Sequence, residues 1–225
     1  MCDRYALTSY PEDLARQFGA SEPAPIRRGN VAPMQWAPIV RLDGVGVRRL
    51  ANLRWGLVPG WAPDLSFGAI CATARSETAA TRPAFRAAIR RRRCLVPADA
   101  YYEWKVLKGR LQLHRVELVT AVPFAFAGLW ESWQAPTGEV TETFAIITTA
   151  PASIHSRDGQ PVILEPRDHG LWLDPAPAQF DRQIRLLRPL APGRLRSIQV
   201  ERCLEELPNI SADELLLPTP EHRAA

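Results

Sequence analysis

The residue with the most chemistry open to it is Cys2. Aminopeptidases remove an initiating Met1 when the second residue is small, and cysteine qualifies, so the mature chain is expected to begin with cysteine. That one residue then carries an α-amine with a pKa of about 7.7–8.0 and a thiol of about 8.5, both partly nucleophilic at neutral pH. A 1,2-aminothiol captures an aldehyde in two steps. The amine forms a Schiff base, and the thiolate then adds to the imine carbon and closes a five-membered thiazolidine, helped by the large effective molarity of an intramolecular attack. An internal cysteine cannot do this, because its nitrogen is an amide. The competing reading is a cysteine that stands at position two by accident.

Two further residues could move protons. Glu103 lies in Tyr101-Tyr102-Glu103-Trp104, a carboxylate among aromatics on an expected strand. Apolar flanks tend to raise a carboxyl pKa, which suits a general acid/base, whereas an exposed strand glutamate would do nothing of the kind. His155 lies in Ile154-His155-Ser156-Arg157, in a loop between Thr149 and Val162. A histidine beside an arginine could shuttle protons next to a phosphate, or could be an ordinary surface histidine. His114, His169 and His222 have no such neighbourhood in the sequence. The remaining cysteines, Cys71, Cys94 and Cys203, form no CxxC pair, which argues against a zinc or redox site. Four free thiols are expected, with Cys71 and Cys94 buried among apolar neighbours.

The elements that must position these groups read as follows. Pro11 to Phe18 is expected to be a short helix, with proline in the first turn, Glu12 and Asp13 near the N-terminus and Gly19 at the end. Strands are expected at 39–41 and 45–53 around an Asp43-Gly44 turn, at 94–96, at 100–106 and 111–118 joined through Lys108-Gly109, and at 124–133 and 142–149 with a turn near 136–138. Residues 55–63, rich in Trp, Gly and Pro, predict a rigid irregular loop. Residues 84–92 predict an arginine-faced helix, and 167–173 a short one. The whole predicts a single α+β domain over 1–225, with a mainly antiparallel sheet or barrel-like core and a few short helices.

Composition narrows the function. The chain has 225 residues, 46% hydrophobic and 23% charged, which is ordinary for a globular protein and unlike a disordered or fibrous one. No apolar run approaches the roughly 18 residues of a membrane span, and no apolar stretch follows the N-terminus as in a signal peptide. The net charge is +4, carried almost wholly by arginine. From Arg75 to Arg93 there are seven arginines against one acid, Glu77. Such a segment suits a phosphate backbone, although arginine-rich composition alone could produce it.

Together these segments resemble the SRAP ("SOS response-associated peptidase") family, whose members form covalent adducts with abasic sites in single-stranded DNA. The family's MCGR[FY] start is similar to Met1 through Tyr5. Its Asn-x-Ala-Pro stretch resembles Asn30 through Pro33, its RWGLxPxW loop Arg54 through Trp61, and its NARxET segment Thr73 through Thr78. The run from Pro83 through Arg86, Cys94, Pro97 and Ala98 to Glu103-Trp104 follows the family pattern. So do Ala127 to Trp130 and Ile147 to Ala150. The match is strongest over residues 2–175 and weak over 205–225. The resemblance implies that Cys2 is the nucleophile, that Glu103 assists sugar ring opening and Schiff-base chemistry, and that His155 transfers protons at the opened sugar. It implies that Arg4, Arg75, Arg86 and Arg157 hold phosphates, that Trp61 and the loop of Asn30 and Pro33 stack on or wedge against neighbouring bases, and that Thr149 joins this DNA-contacting set. No cofactor and no metal is expected, nor any membrane association. A monomer in the cytoplasm, associated with the nucleoid, is the expectation.

Three departures from the family pattern bear on the chemistry. Thr73 stands where the family has an active-site asparagine and lacks the amide donors. The stretch from His155 to Pro161 holds two residues more than the family's His-x-Arg-Met-Pro. Asp3 replaces a glycine and places a carboxylate beside the nucleophile. Two alternatives to abasic-site capture therefore stand: a relative that binds single-stranded DNA without cross-linking, and a thiol (auto)peptidase limited to processing the Met1-Cys2 bond.

Overall fold

Strand formers in alternating or continuous apolar runs make up most of the molecule, and helices only punctuate it. The structure is a computed structural model that describes residues 4–21, 29–150, 159–191 and 193–200. Its strands are β1 (Tyr5–Leu7), β2 (Gly29–Val31), β3 (Trp36–Leu42), β4 (Arg48–Trp55), β5 (Thr73–Arg75), β6 (Arg93–Ala98), β7 (Ala100–Leu107), β8 (Arg110–Leu118), β9 (Phe124–Gln134), β10 (Val140–Thr148), β11 (Ile163–Leu164) and β12 (Leu195–Gln199). The helices are α1 (Pro11–Phe18), α2 (Ala88–Arg91), α3 (His169–Leu173) and α4 (Phe180–Ile184), with short 3-10 turns at Leu65–Ile70, Pro166–Asp168 and Pro177–Gln179.

Five strands close on themselves in the order β9-β6-β3-β4-β10, and β10 returns to pair with β9. Closure removes the exposed strand edges that an open sheet would leave. It explains why β9 reads Phe-Ala-Phe-Ala-Gly-Leu with both faces buried from Phe124 to Leu129: one edge pairs with β6, and the other is shared by β11 and β10. Closure needs one parallel pairing, β10 with β4, and β5 adds a second outside the ring by pairing parallel to β10; the other strand pairings are antiparallel.

The second sheet runs β12-β8-β7-β1-β2. Its β7–β8 hairpin turns on Lys108 and Gly109, both at positive φ (49° and 73°), the backbone of a tight two-residue turn whose twist matches the strands. The face carrying Tyr5, Leu7, Val31, Tyr101 and Val116 packs onto the barrel in one continuous core. Tyr5 lies 5.3 Å from Trp55 and 5.8 Å from Phe126, and Tyr101 lies 6.1 Å from Phe126, all ring to ring. The opposite face holds a small cluster of Ala6, Ala100, Tyr102 and Leu113.

Helix α1 forms as its sequence dictates. Pro11 opens it, Leu14, Ala15 and Phe18 face the core, and Gly19 closes it in the left-handed conformation with its N–H on the Ala15 and Arg16 carbonyls. The arginine-faced helix expected over 84–92 shrinks to α2, preceded by turns from Thr78 to Arg86. Two local facts account for this. Turns at 78–86, around Pro83, take up the start of the expected stretch, and Arg93 just past its end already belongs to β6. The expected strands all form, extended by one to three residues at their ends, except that β4 begins at Arg48 rather than Val45 and β10 ends at Thr148. Cys71 and Cys94 are buried free thiols, and burial pushes both thiols up, far from a reactive thiolate. Among the described residues no helix is long and apolar enough to cross a membrane.

Candidate active site

The three-residue strand β1 is the hub. It lies between β2 and β7, with Tyr5 opposite both Val31 and Tyr101, and Ala6 opposite both Asn30 and Ala100. The pairing continues one residue toward the N-terminus, where the Tyr102 N–H donates to the Arg4 carbonyl at 3.1 Å. Asn30 and Glu103 thereby lie on the strands that flank β1, Asn30 on the face of Ala6 and Glu103 on the face of Tyr101, with Arg4 just before β1. Arg4 is half-buried and Asn30 buried. Cys2, His155 and Arg157 lie outside the described residues.

Glu103 follows Tyr101 on the inward face of β7, at the rim where the sheet extends past the core. It is not enclosed by aromatics, as its sequence neighbours suggested, because Tyr102 and Trp104 project to the other face of the strand. Its Oε1 instead lies 2.8 Å from Lys105 Nζ on the same strand and face. Directly opposite Glu103 on β8 is His114, buried, with Nδ1 3.0 Å from Ser197 Oγ of β12. Burial, and then the Lys105 charge, hold the His114 pKa below its usual value, although Glu103 pulls the other way. His114 is the residue that sequence reasoning missed, and a signal for it existed. A two-residue hairpin at Lys108-Gly109 pairs residues whose numbers sum to 217, which sets Glu103 against His114.

A second group forms where β5 meets the end of β10. Thr73 opens β5 beside Ile146, and Arg75 stands beside Thr148. Thr73 is half-buried and Arg75 exposed. Thr149 is buried, with its N–H donating to the Gln160 carbonyl at 2.8 Å. Glu77 clamps this end of the barrel by accepting the Ala150 N–H at 3.0 Å. Burial works against the Glu77 charge, but its own N–H and that of Ala150 outweigh it and leave the carboxyl below its usual pKa. Gln160 links the two groups, since its side-chain amide donates to the Tyr101 hydroxyl at 3.2 Å.

The candidate DNA-stacking residues stand on shaped loops. Pro33 sits half-buried in the turn after β2, where Gln35 N–H returns to the Ala32 carbonyl and the Met34 N–H donates to the Trp55 carbonyl. Trp61 is 59% exposed and makes an edge contact with Phe67 at 5.1 Å. Its loop is rigid for a backbone reason. A Cβ on Gly56 would meet the Gly68 carbonyl oxygen at 2.6 Å, and one on Gly68 would meet that of Gly56 at 2.5 Å, so two backbones pass where only glycines fit. Arg86 is exposed on the turns before α2. Among the described residues no group of three His, Cys, Asp or Glu side chains could hold a metal ion.

Comparisons with known proteins agree with this architecture. The chain is 37% identical over 226 residues to the abasic site processing protein YoaM of Bacillus subtilis, covering 96% of this chain and 97% of that one. It is 36% identical over 220 residues to YoqW of the same organism, of the same description, covering 95% and 98%. A crystal structure of a protein from Bordetella bronchiseptica superposes with a TM-score of 0.77 at 27% identity, over 89% of this chain and 100% of that one. One from Bacteroides thetaiotaomicron, at 22% identity, shares the fold with a TM-score of 0.78 over 89% and 92%. The family profile described as SOS response associated peptidase (SRAP) matches residues 1–206, and the chain belongs to that family.

Proposed function

We propose that this protein processes abasic sites in DNA, binding single-stranded DNA and capturing the lesion covalently through Cys2 after loss of Met1. The observation that carries the reading is the place of β1. The Arg4 carbonyl accepts from the Tyr102 N–H, one residue before Glu103, and Cys2 stands two residues before Arg4 in the sequence. The names of relatives matched over nearly their whole length support the same substrate class.

An abasic deoxyribose is an aldehyde in equilibrium with its closed ring. Glu103 takes the proton of the anomeric hydroxyl as the bond from that carbon to the ring oxygen breaks, and returns it to the ring oxygen, which becomes a free hydroxyl. The Cys2 amine attacks the aldehyde carbon, and the carbonyl oxygen leaves as water with the two amine protons to give an imine. The thiolate then forms a bond to the imine carbon, and the imine nitrogen takes a proton, closing the thiazolidine. His155 assists proton transfer at the opened sugar. Arg4, Arg75, Arg86 and Arg157 hold phosphates by bidentate hydrogen bonds, and Trp61 with the Asn30–Pro33 loop supplies stacking surface beside Thr149.

The test is a denaturing gel of the protein, with Met1 removal checked by mass, mixed with a single-stranded oligonucleotide carrying one abasic site. A shifted band that survives heat and detergent and vanishes in Cys2→Ala is the expected result. Full cross-linking by Cys2→Ala would overturn the mechanism. Thr73 favours a second reading, in which the protein binds such DNA without forming a stable adduct. A shift on a native gel alone, with cross-linking gained in Thr73→Asn, would support it.

A further inference from the structure

The carboxylate of Glu103 is held by a chain of polar contacts that spans three strands. Lys105 Nζ lies 2.8 Å from Glu103 Oε1 and donates to Ser197 Oγ at 2.9 Å. Ser197 Oγ lies 3.0 Å from His114 Nδ1. Because the ammonium can only donate, Ser197 Oγ accepts from Lys105, and the same oxygen is hydrogen-bonded to His114 Nδ1. His114 Nε2 is buried and has no partner among the described residues. The lowered His114 pKa agrees with a neutral ring. A buried imidazole with an unpartnered nitrogen costs stability, on the order of 1–3 kcal/mol. Its evident use is to give the serine, and through it the lysine, one fixed direction.

We propose that Lys105, oriented by Ser197 and His114, is a positioning residue for Glu103: it occupies Oε1 and fixes the rotamer that turns Oε2 to the reacting sugar. The inference rests on the reading of Glu103 as the acid/base of the capture reaction. Oε1 is the oxygen that faces the ammonium, and among the described residues Oε2 accepts no hydrogen bond. A long glutamate at a sheet rim would otherwise sample several rotamers, and misplacement of a proton-transfer group by about 1 Å can cost as much as 100-fold in rate. Neither the lysine nor the histidine needs to touch DNA for this role.

The experiment is single-turnover cross-linking of the full-length protein to a single-stranded oligonucleotide with one abasic site, measured against DNA concentration. Five variants are compared: Glu103→Gln, Lys105→Met, Lys105→Arg, Ser197→Ala, and the double variant Glu103→Gln with Lys105→Met. The expected result is that Lys105→Met lowers the saturating rate about tenfold while the half-saturating DNA concentration stays put. Lys105→Arg should recover most of the loss. Lys105→Met should add nothing in the Glu103→Gln background, since it acts through the group already removed. Ser197→Ala, a mild change on an exposed strand, should give a smaller loss of the same kind. Equal slowing by Lys105→Met in both backgrounds would overturn the proposal, as would a shifted half-saturation at unchanged rate, the mark of a phosphate contact. If Glu103→Gln alone leaves the rate untouched, the reading of Glu103 falls first and this inference with it.

Discussion

Arg86 and Arg93 belong to one arginine-dense segment, seven residues apart, and the fold treats them oppositely. Arg93 is 3% exposed and fans its guanidinium over three backbone carbonyls, those of Ile89 and Trp172 at 2.7 Å each and that of Asp174. Burial lowers its pKa to about 10, with Asp174 working in the other direction. Arg90 lies over the Phe180 ring at 4.4 Å, and Arg92 pairs with Glu131. Arg75, Arg82, Arg86 and Arg91 remain exposed. A run of positive charge is thus two things at once. Part of it ties the α2 turn to the barrel and to α3, and only the rest is available to a polyanion.

The division can be broken by substitution. Arg93→Ala leaves three carbonyls without their donor in a buried place, so a loss of about 3 kcal/mol or more is expected in chemical denaturation. A loss below about 1 kcal/mol would show that Arg93 does not hold the fold. Arg93→Lys keeps the charge but not the planar fork, and should recover part of that loss in the same measurement, on the order of 1 kcal/mol.

His169 extends the contrast to another buried basic group. It packs on Phe18 with a ring separation of 5.6 Å, and burial holds its pKa below the usual 6.5. The unfolded chain therefore takes up the proton first. The His169 contribution to stability is full above about pH 6.5 and is lost as pH falls through the lower folded value. Unfolding midpoints measured between pH 7 and pH 5 should fall, and fall less in His169→Gln. Equal pH slopes for the two proteins would remove His169 from the account.

Arg86→Ala should have the smallest effect on the fold, within about 0.5 kcal/mol. In the proposed DNA complex it should flatten the dependence of log affinity on log salt by about 0.7. An unchanged salt slope would mean that Arg86 is a bystander.

The parts of the fold legible in the sequence are those whose signal is local. The helix at Pro11–Phe18, the Lys108-Gly109 hairpin and the long β9 each carry their own periodicity and turn residues. Strands β1, β2 and β5 have three residues each, too few for alternation to register, and exist because neighbours distant in the chain pair with them. The same limit governs the site. Glu103 could be singled out by its neighbours in sequence, but its working partners are Lys105 on its own face, His114 through strand register, and Ser197 on a strand with no amphipathic signature. The arginines could be counted from the sequence but not sorted, since burial of Arg93 is decided by α3 some 80 residues onward.

Strand β1 has a consequence for the order of events during synthesis. It is an interior strand whose partner on one side, β7, begins at Ala100. At translation rates of about 5–20 residues per second, the ribosome adds the intervening stretch in roughly 5–20 s. For that interval β1 lacks the neighbour that will fix it in the sheet. An aminopeptidase working on nascent chains has the same interval to remove Met1, so the reagent proposed for aldehyde capture can be unmasked before the sheet that aims it has assembled.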